Sequence, residues 1–259
     1  AHGGVRRMNH FGFAVALILS GLSVANIVGV PIGTAIGTAF GWRMTFWAVA
    51  ALGIVAFGAI TMLVPTDQAH DDAHGNFLAE VKALGRQPVY TSLAIIVLQT
   101  VGQFALFTYI SPLLTTVSGI SIDVVPWLLL LFGLGSTVGV LVGGRLADWK
   151  LMASLTGILA AQVVIYLLMV PFAGIPWAMA VMVLIWGALG FAFGAPAQTR
   201  ILNNTRDAPL LASSLIPSSF NVAMAFGAWF GGTLIDHGSS YAILPWIGVV
   251  SAAAATLIA

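Results

Sequence analysis

Uncharged polar side chains within long apolar runs are the groups of this sequence best suited to bind a ligand. They are amides and a phenol, which donate and accept hydrogen bonds. Gln99 and Gln103 lie four residues apart and therefore share one face of a helix. We predict that five such residues line a polar substrate cavity: Asn26, Gln99, Gln103, Tyr109 and Asn221.

The same residues have a second interpretation that stays open. An amide in a membrane helix can simply hydrogen-bond to a neighbouring helix, which contributes about 0.6 kcal/mol on average. A second pair at helical spacing, Gln162 and Tyr166, is assigned to this structural role. No Asp, Glu, Lys or Arg lies near the middle of a predicted span, where charges usually mark proton relays.

The sequence lacks the residue sets that enzymes and metal sites need. It contains no cysteine, and its five histidines include no HExxH pattern. His70 and His74 lie four apart, but in a polar loop where solvated side chains are the ordinary case. A net charge of +1 offers no basic patch for phosphates. We predict no catalytic residue, no metal site, no cofactor and no nucleic-acid partner.

The composition places the chain in a lipid bilayer. Of its 259 residues, 59% are hydrophobic and 7% are charged, whereas soluble domains carry about 25% charged residues. Runs of about 20 apolar residues can cross the hydrocarbon core. Eight are found: about 11–39, 44–64, 90–117, 124–144, 151–172, 176–197, 209–235 and 241–259. The predicted fold class is an all-α polytopic membrane protein.

Charge placement predicts the orientation of these spans. With eight alternating spans, eight of the nine basic residues lie on one face, which the positive-inside rule makes cytoplasmic. They are Arg6, Arg7, Lys82, Arg86, Arg145, Lys150, Arg200 and Arg206. Both chain ends are then cytoplasmic. The polar segment 65–89 becomes a cytoplasmic linker with a short amphipathic helix, with two spans before it and six after it.

Glycines recur at four-residue spacing in GVPIGTAIGTAFGWR, residues 29–43. Each costs roughly 0.5–1 kcal/mol relative to alanine in a soluble helix, but in lipid a bare backbone lets helices approach closely. We predict that this run, which also contains Pro31, forms an interface and gating motif against a helix of the second bundle. Its glycines are Gly29, Gly33, Gly37 and Gly41. Tight packing is also predicted for the pairs Gly139/Gly143, Gly190/Gly194 and Gly227/Gly231.

Several stretches resemble the major facilitator superfamily, in its drug/proton antiporter and arabinose/sugar-efflux-like branch. Residues 19–47 resemble the fifth helix and its antiporter motif, with Gly29-Val30-Pro31 in place of the usual Gly-Pro pair. GGRLADWK, residues 143–150, resembles the second-half copy of the family's cytoplasmic loop motif, matched at Gly144, Arg145, Asp148 and Lys150. Residues 107–114, 186–202 and 218–238 resemble the seventh, tenth and eleventh helices.

The resemblance implies a partial major facilitator fold that begins at the fifth of twelve helices, with the first four missing. Residues 1–64 then hold the last two helices of the N-terminal bundle, and 90–259 form the six-helix C-terminal bundle. It further implies a secondary active transporter of the inner membrane that exports a small organic solute, sugar or drug-like. Transport would use proton antiport with alternating access. Asp148 is expected near the N-terminal end of the 11–39 helix, where the helix dipole favours an anion.

Two other functions stay open. A non-transporting truncated fragment or membrane scaffold fits a chain that holds only two helices of one bundle. A membrane-embedded enzyme would need paired carboxylates, a metal cluster or a nucleophile with its base, and none of these occurs in the predicted spans.

Overall fold

The computed structural model describes residue 29 and the ranges 32–33, 36–37, 39–63, 87–205 and 209–259, with Leu63 and 209–214 described by backbone alone. It divides into two compact units, Ala1–His74 and Gly75–Ala259. The predictions for Asn26, for Pro31, for most of the 11–39 span and for most of the 65–89 linker lie outside the described residues. So does the expected neighbour of Asp148.

In the described part of the first unit, a glycine turn leads into one apolar helix. This helix, α1, spans Trp42–Leu63, and it begins directly after Gly41, whose φ of 86° is in the left-handed region. Thr45 of α1 packs against the preceding helical residues, because its hydroxyl donates to the Gly33 carbonyl at 3.2 Å. A Cβ added at Gly37 would also meet Thr45. The bare backbone therefore serves a contact within this unit.

The described residues of the second unit form helices joined by turns and short loops. Their order is α2 (Gln87–Thr108), α3 (Val125–Phe172), α4 (Pro176–Ala192), α5 (Gly194–Asn204), α6 (Pro209–Asp236) and α7 (Leu244–Ile258). Short helical turns at Ile110–Pro112, Leu113–Val117 and Tyr241–Ile243 connect them. Prolines stand in the first turns of α3, α4 and α7, where the missing N–H costs nothing. The all-α prediction is confirmed.

Helix α3 consists of two arms joined by a break, each long enough to cross a membrane. Its 48 residues would extend about 72 Å if straight, more than twice the roughly 30 Å hydrocarbon core. Lys150 has a non-helical backbone (φ −146°, ψ 85°) and separates a first arm, 125–149, from a second arm, 151–172. Ser154 bridges the break, because its hydroxyl donates to the Leu146 carbonyl at 2.8 Å.

Glycines set the closest helix contacts of this unit. A Cβ added at Gly135, Gly139 or Gly143 of the first α3 arm would collide with backbone of α4 at every fourth residue: Leu184, Ala188 and Ala192. Gly227 of α6 likewise meets the backbone of α2 at Val101. The predicted close packing is present at these positions, whereas a Cβ at Gly194 would meet open space.

Five helical segments among the described residues are long and apolar enough to cross a membrane. One of them is the 48-residue α3, which the Lys150 break divides into two passes. Many large apolar side chains are exposed, as on a surface that faces lipid. Exposed tryptophans, a residue type enriched at membrane–water interfaces, include Trp42, Trp47, Trp127, Trp177 and Trp246.

Candidate substrate-binding groups in the six-helix unit

Buried amides on α2 and α3 meet across the interior of the second unit. The Gln99 amide donates from Nε2 to Gln162 Oε1 at 3.2 Å. Gln162 in turn donates from Nε2 to the Leu189 carbonyl of α4 at 3.0 Å. The hydroxyl of Thr100 donates to Gln99 Oε1 at 3.4 Å. This set of hydrogen bonds, which we call the first rung, ties three helices together and uses both amide nitrogens.

A second rung lies one helical turn further along. The Trp186 indole N–H donates to the Tyr166 hydroxyl at 3.0 Å, and that hydroxyl donates to Gln103 Oε1 at 3.0 Å. All three side chains are buried. Trp186 also packs against Phe132, with ring centroids 4.9 Å apart, which holds the indole in place.

The two rungs are in register. Gln99 pairs with Gln162 and Gln103 with Tyr166, and both pairs are separated by 63 residues. From the first rung to the second, the partner residue moves four positions toward the C-terminus on each helix. Helix α2 and the second arm of α3 therefore run in the same direction. This agrees with a single pass, the first arm of α3, between them.

The rungs lie at mid-height of the bundle. On α2, apolar Ile95 and Ile96 belong to one core cluster and Leu106 to another, and the two glutamines stand between them. On α3, Gln162 lies at the centre of the second arm, 151–172. The two rungs form a polar layer near the level where the membrane midplane is expected, and Tyr166 and Trp186 of this layer also belong to the cluster that contains Leu106.

Gln103 has an amide nitrogen with two N–H donors that its one side-chain hydrogen bond, accepted by Oε1, does not use. Its side chain is 4% exposed, yet Nε2 has no hydrogen-bond partner among the described residues. A buried amide N–H left unpaired costs about 1–3 kcal/mol. The atom lies against Gly190 of α4, where a Cβ would come within 2.5 Å of it. Gly190 itself is only partly buried.

Two further predicted cavity residues, Tyr109 and Asn221, lie outside the two rungs. Tyr109 stands where α2 breaks, with φ −113° and ψ 20°, and its hydroxyl donates to the Ala228 carbonyl of α6 at 3.1 Å. Asn221 is exposed on α6 and donates to the Pro217 carbonyl of its own helix at 3.0 Å. The structure therefore brings together Gln99 and Gln103, and it places Tyr109 and Asn221 outside their network.

The residues matched to the loop motif surround the break in α3. Arg145, Asp148 and Lys150 are exposed, and Gly144 is partly buried. The Lys150 ammonium lies 5.2 Å from the centre of the Trp149 ring, which is a cation–π distance.

Sequence reasoning missed two contributors to this site and one packing glycine outside it. Trp186 was not recognised as a donor, although an indole buried in a polar layer needs an acceptor. The Leu189 carbonyl carries no sequence signal. Gly135 extends the Gly139/Gly143 spacing by one turn and could have been found from it. Within the described residues, no group of three or more His, Asp or Glu could hold a metal ion.

Comparisons with known proteins agree with one another. The sequence profile of the Major Facilitator Superfamily matches residues 6–208. The Inner membrane transport protein YdhP of Escherichia coli (strain K12) is 36% identical over 246 residues, which are 95% of this chain and 62% of that protein. The Chloramphenicol resistance protein of Streptomyces lividans is 33% identical over 250 residues, 96% of this chain and 64% of that protein.

A third relative also has a transporter name. The Putative transporter AraJ of Escherichia coli (strain K12) is 30% identical over 229 residues, covering 88% of this chain and 58% of that protein. The chain thus spans less than two thirds of the length of each of these relatives.

Proposed function

The chain belongs to the Major Facilitator Superfamily, and from this premise we propose that it is part of a secondary active transporter that exports a small organic solute. The observation that carries the proposal is the family match over residues 6–208, joined to relatives of which one is called a transport protein and another a chloramphenicol resistance protein. By analogy with the first of these, the location is the bacterial inner membrane. This is a transport function and not an enzymatic one.

The polar layer supports a solute that is uncharged and drug-like. The groups near mid-height are amides, a phenol and an indole, which recognise neutral hydrogen-bonding solutes rather than ions. Aromatic rings flank them, with Phe107, Phe132 and Trp186 in mutual contact. Apolar and aromatic walls with a few fixed polar groups are typical of small-molecule sites. A sugar is the second solute class, because hydroxyl groups suit the same amides.

In the proposed cavity, the predicted residues have different roles. Gln103 supplies a free donor, and Asn221 presents an exposed amide on α6. Tyr109 sits at the break of α2, where discontinuous helices commonly help to form transporter sites. Gln99 holds the helices together through Gln162. We further propose that protons entering the cell drive export, with alternating access and with both ends of this chain on the cytoplasmic face.

Accumulation in cells tests the export function. The whole reading frame is expressed in a bacterial strain that lacks its own drug exporters, and labelled chloramphenicol and L-arabinose are each measured inside the cells. The proposal expects lower chloramphenicol accumulation than in vector-only cells, restored by a protonophore. Equal accumulation of both solutes with and without the protein would refute export of either class.

A further inference from the structure

We propose that Phe226 and Trp229 of α6 form an aromatic platform on which a ring of the transported solute stacks, and that Asn221 hydrogen-bonds to a polar group of the same solute. The platform deepens the proposed export function, on which it rests, because it states that the solute carries an aromatic ring beside a hydrogen-bonding group. Three features of α6 support it, and all of them concern exposed side chains.

The first feature is that one side of α6 packs against the bundle while the other side is open. Ala223 and Gly227 are buried, and a Cβ added at Gly227 would collide with the α2 backbone at Val101. By contrast, Phe226 is 49% exposed and Trp229 is 62% exposed. A ligand therefore reaches these two rings without displacing any described residue.

The second feature is the polarity of α6. The helix has 28 residues and is long enough to cross a membrane. It is nevertheless not among the five described segments that are also apolar enough to do so. Asn221 lies near the middle of α6 and is exposed, and a polar side chain at this depth is costly in lipid. The open side of α6 is thus better suited to a water-filled cavity than to hydrocarbon.

The third feature is the arrangement of the aromatic rings on this side. The ring centroids of Phe226 and Trp229 are 5.5 Å apart. Phe226 also stacks on Phe230, with centroids 6.0 Å apart and an angle of 6° between the ring planes. Because the rings support one another, they present a preformed aromatic surface, and offset or edge-to-face contacts with a further ring are favourable.

Spacing along α6 joins this surface to the amide. Asn221, Ala225 and Trp229 follow one another at four-residue intervals, so they lie along the same side of the helix. Asn221 and Trp229 are separated by about 12 Å along the axis, and the exposed Ala225 between them carries only a methyl group. A ring on the indole therefore has space beside it, and an amide offers both N–H and oxygen to a polar substituent.

Binding to variants of Trp229 tests the stacking. The protein is expressed from its whole reading frame and purified, and the ligands are chloramphenicol, which has a nitrophenyl ring, and an analogue with a cyclohexyl group in place of that ring. Loss of stacking predicts about 2- to 12-fold weaker chloramphenicol binding for Trp229→Leu, with no change for the analogue. Trp229→Phe is expected to recover most of the chloramphenicol affinity. Equal weakening for both ligands would overturn the platform.

Two further variants complete this comparison. Trp177→Leu changes a tryptophan of α4 that is 72% exposed and is not part of the platform, so it is expected to bind chloramphenicol as the wild type does. Asn221→Leu removes the amide at similar volume, and loss of one hydrogen bond predicts about 2- to 12-fold weaker chloramphenicol binding. Wild-type affinity in Asn221→Leu would overturn the role of the amide.

Cysteine accessibility tests whether this side of α6 faces a cavity. Residues 1–259 contain no cysteine, and any cysteine elsewhere in the whole protein is first replaced. Ala225→Cys is expected to react with a water-soluble thiol reagent, and chloramphenicol is expected to slow that reaction. Val164→Cys, at a 53% exposed position of the second arm of α3, is the lipid-facing reference and is expected to react only with a lipid-soluble reagent. An Ala225→Cys thiol that resists the water-soluble reagent would show that lipid or protein covers this side of α6, and would overturn the platform.

The outcomes distinguish the platform from the export function. If the wild type exports chloramphenicol while Trp229→Leu binds it as tightly as the wild type, the platform is wrong and the export function stands. If chloramphenicol binding depends on Trp229 but no export occurs, the platform stands and the export function fails. A wild type that binds neither ligand overturns the platform.

Discussion

Gln99 and Gln162 join α2 to the second arm of α3 through an amide hydrogen bond of 3.2 Å. Gln162 is fully buried and its own amide continues to the Leu189 carbonyl of α4. Without water in a bilayer core, each of these polar groups needs a partner within the protein. These two bonds therefore fix how α2, α3 and α4 are aligned along their axes, and not only how close they lie.

Replacing Gln162 with leucine removes both of its bonds and leaves Gln99 Nε2 without an acceptor. Buried donors deprived of their partner cost about 1–3 kcal/mol, so we expect Gln162→Leu to lower the stability of the second unit by about that amount. The measurement is the midpoint of thermal unfolding in detergent. Val164→Leu, on the exposed side of the same arm, is the control and keeps the midpoint. Equal midpoints for both variants would show that the rung contributes nothing to stability.

The first arm of α3 needs a glycine at position 139. An alanine methyl group there would overlap the Ala188 carbonyl oxygen on α4, and a backbone atom cannot move aside cheaply. Gly139→Ala is expected to destabilise the protein by about 1–3 kcal/mol through overpacking. Gly133→Ala, on the same arm with nothing within 4 Å, is expected to be neutral or slightly stabilising, because alanine is the better helix former. A stable Gly139→Ala protein would contradict this packing of α3 against α4.

The turn before α1 needs a glycine for a conformational reason. Gly41 has φ 86°, and a Cβ built there meets no described residue within 4 Å, so a side chain at this position strains the backbone rather than a neighbour. Gly41→Ala is expected to cost about 1–2 kcal/mol, and Gly41→Asn less, because asparagine tolerates this region. Gly53→Ala within α1 also meets nothing within 4 Å and serves as the control. The readout is resistance of the membrane-embedded protein to proteolysis. Equal resistance of Gly41→Ala and Gly53→Ala to proteolysis would contradict a conformational need for glycine at position 41.

Membrane orientation can be tested by labelling single cysteines. The sequence has no cysteine of its own, so Lys150→Cys at the α3 break and Gly174→Cys between α3 and α4 introduce unique thiols. Both positions are exposed, and the second arm of α3 separates them. In intact cells, an impermeant maleimide is expected to label Gly174→Cys and to spare Lys150→Cys. The reverse pattern would invert the proposed topology, and labelling of both would contradict a membrane pass between them.

Helical periodicity was enough to identify the polar pairs but not their partners. Gln99 with Gln103, and Gln162 with Tyr166, are visible because residues four apart share a helix face. That the two pairs face each other depends on how α2 and α3 pack, which local spacing does not encode. Trp186 was missed for a related reason, since its donor role exists only once Tyr166 lies beside it.

The glycine pairs show that residue spacing alone does not predict which glycines make a close helix contact. Gly139 and Gly143 pack against backbone as the spacing predicted, but Gly194 has open space although it shares the spacing of Gly190. A small residue permits a close approach without requiring one. The all-α fold follows from composition and run length, whereas the direction in which each glycine faces follows from tertiary packing.

Proton-coupled export of chloramphenicol in a purified system tests the central claim most directly. The protein from its whole reading frame is reconstituted in liposomes, selected for cytoplasmic-face-out orientation, and given an interior more acidic than the medium. Proton antiport predicts that labelled chloramphenicol enters the liposomes as protons leave, and that entry stops when a protonophore collapses the gradient. Entry no faster than in protein-free liposomes, or entry indifferent to the gradient, would contradict the account.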